Sequence, residues 1–353
     1  MKIGILTFHR ACNFGAILQC YALQEVLRRM GHDAYVIDYV QRDIEWFYIY
    51  ELCRPYVLKG KLKRNVRDAF GYVKSIPERR RAQNRCFRES ARKYYRCTPP
   101  CNARHIPKDF DAYVVGSDQV WNCECMHHHF DKIYLGDFPR PEESRLYGYA
   151  ISSTETAMES MDPQMLRDAV ARFDALSLRE ENIANMVKGI IGKDLPICCD
   201  PTLLTDASFW TPVINDKYAG RNYVLTYHVR RDPDFLQGKA EQLASKIGAE
   251  VVTFTHNETV EDFVSLIYHA RYVVTTSFHG TAFSIIFGKP LYAVKLHDGW
   301  DGRYENLLHT LGADHLCVDE NFAPTPMEVD YAPIHAALKN YAARSLHFLK
   351  QIG

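Results

Sequence analysis

The sequence predicts an α/β protein made of two halves, each a parallel sheet covered by helices. Three observations predict it. Short apolar runs alternate with segments of helical periodicity along both halves of the chain. The first run, helix and run together have the length of a βαβ unit, which requires parallel pairing. From Asp206 to Asn222 the periodicity is lost and Pro212 and Gly220 appear, which divides the elements into two series. The 353 residues are enough for two domains of ordinary size.

Lys2 to Phe8 opens the first half as an apolar strand, and His9 to Gly15 carries turn residues. Ile17, Leu18, Tyr21, Leu23, Leu27 and Met30 share one broad helical face, and Gly31 stands where a helix ends. Ala34 to Tyr39 is the second strand. Residues from about 41 to 108 are rich in Arg, Lys, Tyr and Phe and read as a helical basic insertion. It is either a pair of amphipathic helices with solvated charges, or a basic arm for anionic lipid or a lipid-linked pyrophosphate. Strands resume at Phe110 to Val115, Leu146 to Ile151 and Ala175 to Arg179, with helices over Gln164 to Arg172 and Glu181 to Lys188.

In the second half, strands fall at Tyr223 to Tyr227, Glu250 to Thr253, Tyr272 to Thr276 and Pro290 to Val294. Helices fall at Asp234 to Ile247, Val260 to His269 and Thr281 to Phe287, and Ala332 to Leu349 is a last amphipathic helix. The expected domains are 1–205 and 206–330, followed by a helix within 331–353. Two Rossmann-like halves leave a cleft into which both aim the polar carboxyl ends of their strands, the edge where open α/β sheets bind ligands.

Lys plus Arg equal Asp plus Glu, and a formal net charge of zero argues against a general nucleic-acid binder. Met1 leads straight into a strand pattern, and no apolar run approaches the roughly 20 residues that span a bilayer, so a cytoplasmic protein is expected. Of the eleven cysteines, Cys20, Cys198, Cys199 and Cys317 sit in apolar or strand-like contexts and read as small buried hydrophobes in a reducing compartment. Cys97, Cys101, Cys123 and Cys125, with His127, His128 and His129, invite a metal reading. Cys-x-Cys is not the spacing of a structural zinc site and no second well-spaced pair completes one, so no metal ligands are assigned.

Four pieces can carry chemistry. In Val273 to Thr281 an apolar strand ends in Ser277-Phe278-His279-Gly280 and a helix begins at about Thr281. That helix start suits an anion, Gly280 allows close approach, and His279 can exchange a proton beside it. The same residues also make a capped helix with a structural histidine. Arg179 ends a strand, and a guanidinium there can grip a carboxylate or phosphate, or pair with Glu180. Asp118, in Gly116-Ser117-Asp118-Gln119, can be a general base or a turn residue. Asn13-Phe14-Gly15-Ala16 lacks the spaced glycines of a dinucleotide fingerprint; Gly15 suits a tight turn, and Asn13 can reach the cleft.

Together these pieces resemble the polysaccharide pyruvyl transferase family. The resemblance spans about residues 3 to 312. It runs through Thr7-Phe8, Asn13 to Gln24, Gly116 to Asn122, Ser177-Leu178-Arg179-Glu180, Asp200-Pro201-Thr202-Leu203-Leu204, Ser277-Phe278-His279-Gly280 and Arg303 to Leu311. It implies a GT-B-like fold whose last helix returns to the first domain. It also implies phosphoenolpyruvate as donor, a saccharide or lipid-linked oligosaccharide as acceptor, and no cofactor. The implied product is a cyclic pyruvate ketal of a cell-surface polysaccharide such as an exopolysaccharide, and the basic-arm reading adds peripheral contact at the inner membrane face as an expectation.

The family's Asp, Arg and His fall on Asp118, Arg179 and His279. Ser277, Gly280 and Thr281 line the donor side; Asn13, Gly15 and Gln119 line the acceptor side or cleft. Some relatives carry Arg where Ser277 stands, and Arg303 or Lys295 would replace that contact. The alternatives are a nucleotide-sugar glycosyltransferase on the same fold and a non-catalytic saccharide-binding protein.

Overall fold

The computed structural model describes residues 1–51, 77, 81, 85, 89–90, 92–228, 233–254 and 258–352. Most of the basic insertion expected at about 41–108 lies outside these residues. The chain divides into two compact units, Met1–Ile197 with Leu349–Gly353, and Cys198–Phe348.

The first unit contains β1 (Lys2–Leu6), α1 (Phe14–Arg29), β2 (Asp33–Val36), α2 (Arg42–Glu51), β3 (Ala112–Asp118), β4 (Arg145–Ile151), α3 (Glu155–Ser160), α4 (Pro163–Arg172), β5 (Ala175–Leu178) and α5 (Glu181–Ile191). Its sheet is parallel in the order β2-β1-β3-β4-β5. Every residue of β3 is buried, as in parallel strands covered on both faces. Asn13 starts α1: its Oδ1 accepts from the Gly15 and Ala16 N–H groups at 2.9 and 3.3 Å. Gly31 follows the helix at φ +91°, a conformation that favours glycine. Buried Gln24 clasps the backbone of Arg96, and Cys97 then pairs with Val36 along the edge of β2. Gly116, at φ +105°, has no room for a Cβ, which would collide with the Tyr149 carbonyl oxygen.

The second unit contains α6 (Ala207–Trp210), β6 (Tyr223–Tyr227), α7 (Pro233–Ile247), β7 (Glu250–Thr253), α8 (Val260–His269), β8 (Tyr272–Thr275), α9 (Phe278–Ile286), β9 (Leu291–Val294), α10 (Gly302–Thr310), β10 (Cys317–Val318) and α11 (Tyr331–Leu349). The sheet order is β10-β9-β8-β6-β7, again parallel. Leu236, Ala240, Leu243 and Ala244 of α7 pack on Val224, Val274 and Val294 of three strands. The second unit begins ahead of the aperiodic 206–222 stretch, so Asp200 to Thr202 belongs with the second sheet. That stretch is short helical turns whose Trp210 is fully buried against Phe283 of α9, with ring centroids 4.8 Å apart. The last residue of α11 and the tail go with the first unit, where the Tyr147 hydroxyl donates to the Gln351 carbonyl at 3.3 Å.

Numbered within its own unit, each sheet has the order 2-1-3-4-5. This doubly wound order reverses between the first and third strands, and that switch point is where such sheets bind ligands. A threonine hydroxyl spans both switch points. Thr7 donates to the Ser117 carbonyl at 2.9 Å, and Thr275 donates to the Tyr227 carbonyl at 2.6 Å. Among the described residues, no helix is long and apolar enough to cross a membrane.

Candidate active-site residues

In the first unit, β3 ends on Asp118, held at φ +72°, a left-handed conformation that Asp tolerates better than most residues. Its Oδ1 accepts the Gln119 N–H at 2.9 Å and lies 3.9 Å from Arg179 Nη1. Arg179 follows β5 and is 5% exposed. Its Nε donates to Glu180 Oε1 at 2.7 Å, and its Nη2 donates to Ser152 Oγ at 2.9 Å. Ser152 in turn donates to the same Glu180 oxygen at 2.8 Å. Glu180 occupies the N-cap of α5 but does not cap it, because its side chain is turned to Arg179. Asp118, Arg179, Ser152 and Glu180 thus form one buried network at the carboxyl edge of the sheet.

Asn13 uses its side-chain oxygen to cap α1, and Gly15 sits in the first turn of that helix rather than in a loop. Gln119 is buried and its Nε2 has no hydrogen-bond partner among the described residues.

In the second unit, α9 begins at Phe278, three residues ahead of the expected start. Ser277 is the N-cap, its Oγ accepting the Gly280 N–H at 3.2 Å, and its carbonyl accepts the Thr281 N–H at 3.0 Å. Both N–H groups expected to meet an anion are therefore used within the cap, and His279 lies inside the first turn. Gly280 is needed for close packing: a Cβ there would stand 2.5 Å from Thr275 Oγ1. His279 is 5% exposed, edge-on to Phe278, with Nε2 3.7 Å from Asp200 Oδ2. The other Asp200 oxygen accepts from Thr202 N–H at 2.9 Å and Thr202 Oγ1 at 2.7 Å. His228 follows β6 at the switch point, and burial lowers its pKa.

Lys295 follows β9 and lies 3.2 Å from Asp319 and 3.6 Å from Glu305, an acidic pairing that raises its pKa. Arg303, in the first turn of α10, lies over the Trp300 ring at 5.7 Å.

The cysteines divide by location. Cys97 pairs with Val36 of β2 and Cys101 with Tyr39 just past it, and burial pushes their thiols up to about 12 and about 11. Cys123 and Cys125 are buried in a short turn, while His127 and His129 lie near Asp43. Among the described residues, no three His, Cys, Asp or Glu side chains come together to hold a metal.

Sequence patterns assign no role to Asp200, Ser152 or His228, and they offer Glu180 only as an alternative partner for Arg179. Asp200 and Glu180 sit inside motifs already singled out. His228 had no signal beyond following a strand.

Two parallel, doubly wound sheets with buried ionisable groups at their carboxyl edges define the chain as an α/β protein of two Rossmann-like units. A model of the polysaccharide pyruvyl transferase family matches residues 13–298, well over half of the chain, and the chain belongs to that family. Among solved structures it is similar to the UDP-GlcNAc 2-epimerase from Neisseria meningitidis bound to UDP-GlcNAc, with 10% identity over 99% of each chain and a TM-score of 0.48. The UDP-GlcNAc 2-epimerase from Methanocaldococcus jannaschii has 11% identity over 99% of this chain and 100% of its own, with a TM-score of 0.45. The E. coli heptosyltransferase WaaC with ADP has 12% identity over 100% of both chains and a TM-score of 0.39. No curated protein sequence matches the chain.

Proposed function

We propose that the chain transfers a pyruvyl group from phosphoenolpyruvate to a saccharide diol, free or lipid-linked, and forms a pyruvate ketal in polysaccharide biosynthesis. The observation that carries this reading is that the family match includes both Arg179 and His279. Each is a buried residue beyond the carboxyl end of a strand with an acid set against it.

Arg179, gripped by Glu180 and Ser152, presents a guanidinium held still for the donor's carboxylate or phosphate. His279 delivers a proton to C3 of the donor, and C2 gains positive character. A sugar hydroxyl adds to C2 and gives its proton to Asp118. A second hydroxyl then displaces phosphate, which leaves with that hydroxyl's proton as the ketal ring closes. Ser277, Gly280 and Thr281 shape the donor end of α9, and Gln119 offers its buried amide on the acceptor side. Arg303, in the first turn of α10, and Lys295, which also pairs with Asp319 and Glu305, are the two cations that could replace the Arg some relatives carry at the Ser277 position.

The test is phosphate release from phosphoenolpyruvate with galactoside or mannoside acceptors, and mass spectrometry for the ketal. His279→Ala is expected to lose about 100-fold or more in kcat. A loss of only a few-fold would remove His279 as the acid. Arg179→Ala is expected to weaken phosphoenolpyruvate binding by calorimetry, and unchanged affinity would remove Arg179 from the donor site.

A further inference from the structure

We infer that Asp200 is a positioning residue that holds His279 through Nε2, which makes Nδ1 the nitrogen that exchanges a proton with substrate. The inference rests on the reading of His279 as the acid, and it names the atom that does the work.

Asp200 is fully buried, and its two oxygens have different surroundings. Oδ1 receives both the N–H and the hydroxyl of Thr202. That double hold turns Oδ2 toward His279 Nε2, 3.7 Å away. Nε2 is itself buried and makes no hydrogen bond among the described residues, so its contact with Asp200 is at ion-pair distance. This is longer than an N–H···O bond, and catalytic hydrogen bonds often tighten only when substrate is bound.

The carboxylate is also held from outside. The Cys199 N–H donates to Ser345 Oγ of α11 at 2.8 Å, which anchors the chain just before Asp200. The turn Pro201–Leu204 packs on α9, and Trp210 locks against Phe283 of the same helix. The acid and the histidine therefore ride on segments clamped together within one unit. Phe278 stands edge-on to the imidazole, with the ring planes at 89°.

A carboxylate beside one ring nitrogen keeps the proton on that nitrogen and selects the tautomer. Neutral His279 then carries its hydrogen on Nε2 and its lone pair on Nδ1. For the donor step, Nδ1 gives its proton to C3 and the ring returns to the neutral Nε2–H form. Nδ1 is reprotonated from solvent before the next turnover. Asp200 touches no substrate in this scheme and acts only through His279.

The test combines nitrogen-15 NMR of the histidine ring with steady-state kinetics on the full chain. In the unsubstituted protein, neutral His279 is expected as the Nε2–H tautomer. Asp200→Asn, which keeps an oxygen for Thr202, is expected to shift the population toward Nδ1–H. It should also lower kcat by roughly tenfold or more, with KM for phosphoenolpyruvate changed by less than about twofold. An Nδ1–H tautomer in the unsubstituted protein overturns the inference without any variant. So does a fall in kcat with the tautomer unmoved, which would mark Asp200 as structural. If no pyruvyl transfer is found at all, the tautomer measurement still decides the role of Asp200, so the two proposals fail separately.

Discussion

Glu180 is almost completely buried, and its Oε1 takes a hydrogen bond from Arg179 and another from Ser152. A charge-assisted bond inside a protein is strong, but the ions must first be desolvated, so the pair's net value is modest. Removing one partner is different, because Arg179 then stays buried with its nearest counter-charge gone and the more distant Asp118, at 3.9 Å, left to offset it. Glu180→Ala is therefore expected to lower the unfolding free energy by about 3–5 kcal/mol in a urea titration. A loss below about 1 kcal/mol would show that Arg179 rehouses its charge. The sequence presents Glu180 as an ordinary partner for Arg179. Only the fold shows that Ser152, which follows a different strand, completes the clasp.

At the scale of an element, α9 is distinctive for how tightly its first turn lies on the sheet. Gly280 faces Thr275 Oγ1 at 2.5 Å and Tyr227 Cδ1 at 3.0 Å from where a Cβ would stand. Gly189 of α5 is also helical but has nothing within 4 Å. Replacing each by alanine separates packing from propensity. Gly189→Ala is expected to stabilise by about 0.5–1 kcal/mol through lost backbone entropy in the unfolded chain. Gly280→Ala is expected to destabilise by about 1–3 kcal/mol through overpacking. Thermal unfolding of the two variants checks both signs, and stabilisation by Gly280→Ala would mean the helix can lift off β8. The start of α9 also shows a limit of local reading. Periodicity places it near Thr281, whereas the Ser277 cap starts it at Phe278 and carries His279 into the first turn.

At the scale of the whole molecule, each unit holds a buried carboxylate whose pKa is lowered and which therefore contributes to its acid sensitivity. Burial works to raise the pKa of Asp38, but hydrogen bonds from His9 and Arg10 outweigh it and bring it below the usual range. Asp262 is lowered in the same way by the Thr259 N–H, Lys217 and Asn215. A carboxyl with a depressed folded value contributes stability that is complete above its unfolded value, near 4, and is lost as pH falls through the folded value. The melting temperature is therefore expected to fall between about pH 5 and pH 3. Asp38→Asn should be less stable at neutral pH and lose less over that window. An identical slope in the variant would exclude Asp38 as a contributor.

Much of the architecture was legible in the chain itself, because helical and strand periods are local properties of which residues are apolar. The βαβ opening, the alternation of elements in both halves, Gly31 ending α1, and Arg179 and His279 beyond strand ends all follow from patterns a few residues long. The family membership also rests on short motifs kept in order. The short β10 could not be read this way, because two residues carry no period and become a strand only by pairing with β9. Nor could the identical order of the two sheets, or the contacts Asp200–His279 and Arg179–Ser152. Those pairs are separated by 79 and 27 residues. Proximity at such a distance along the chain is created by packing, and no local pattern of apolar residues encodes it.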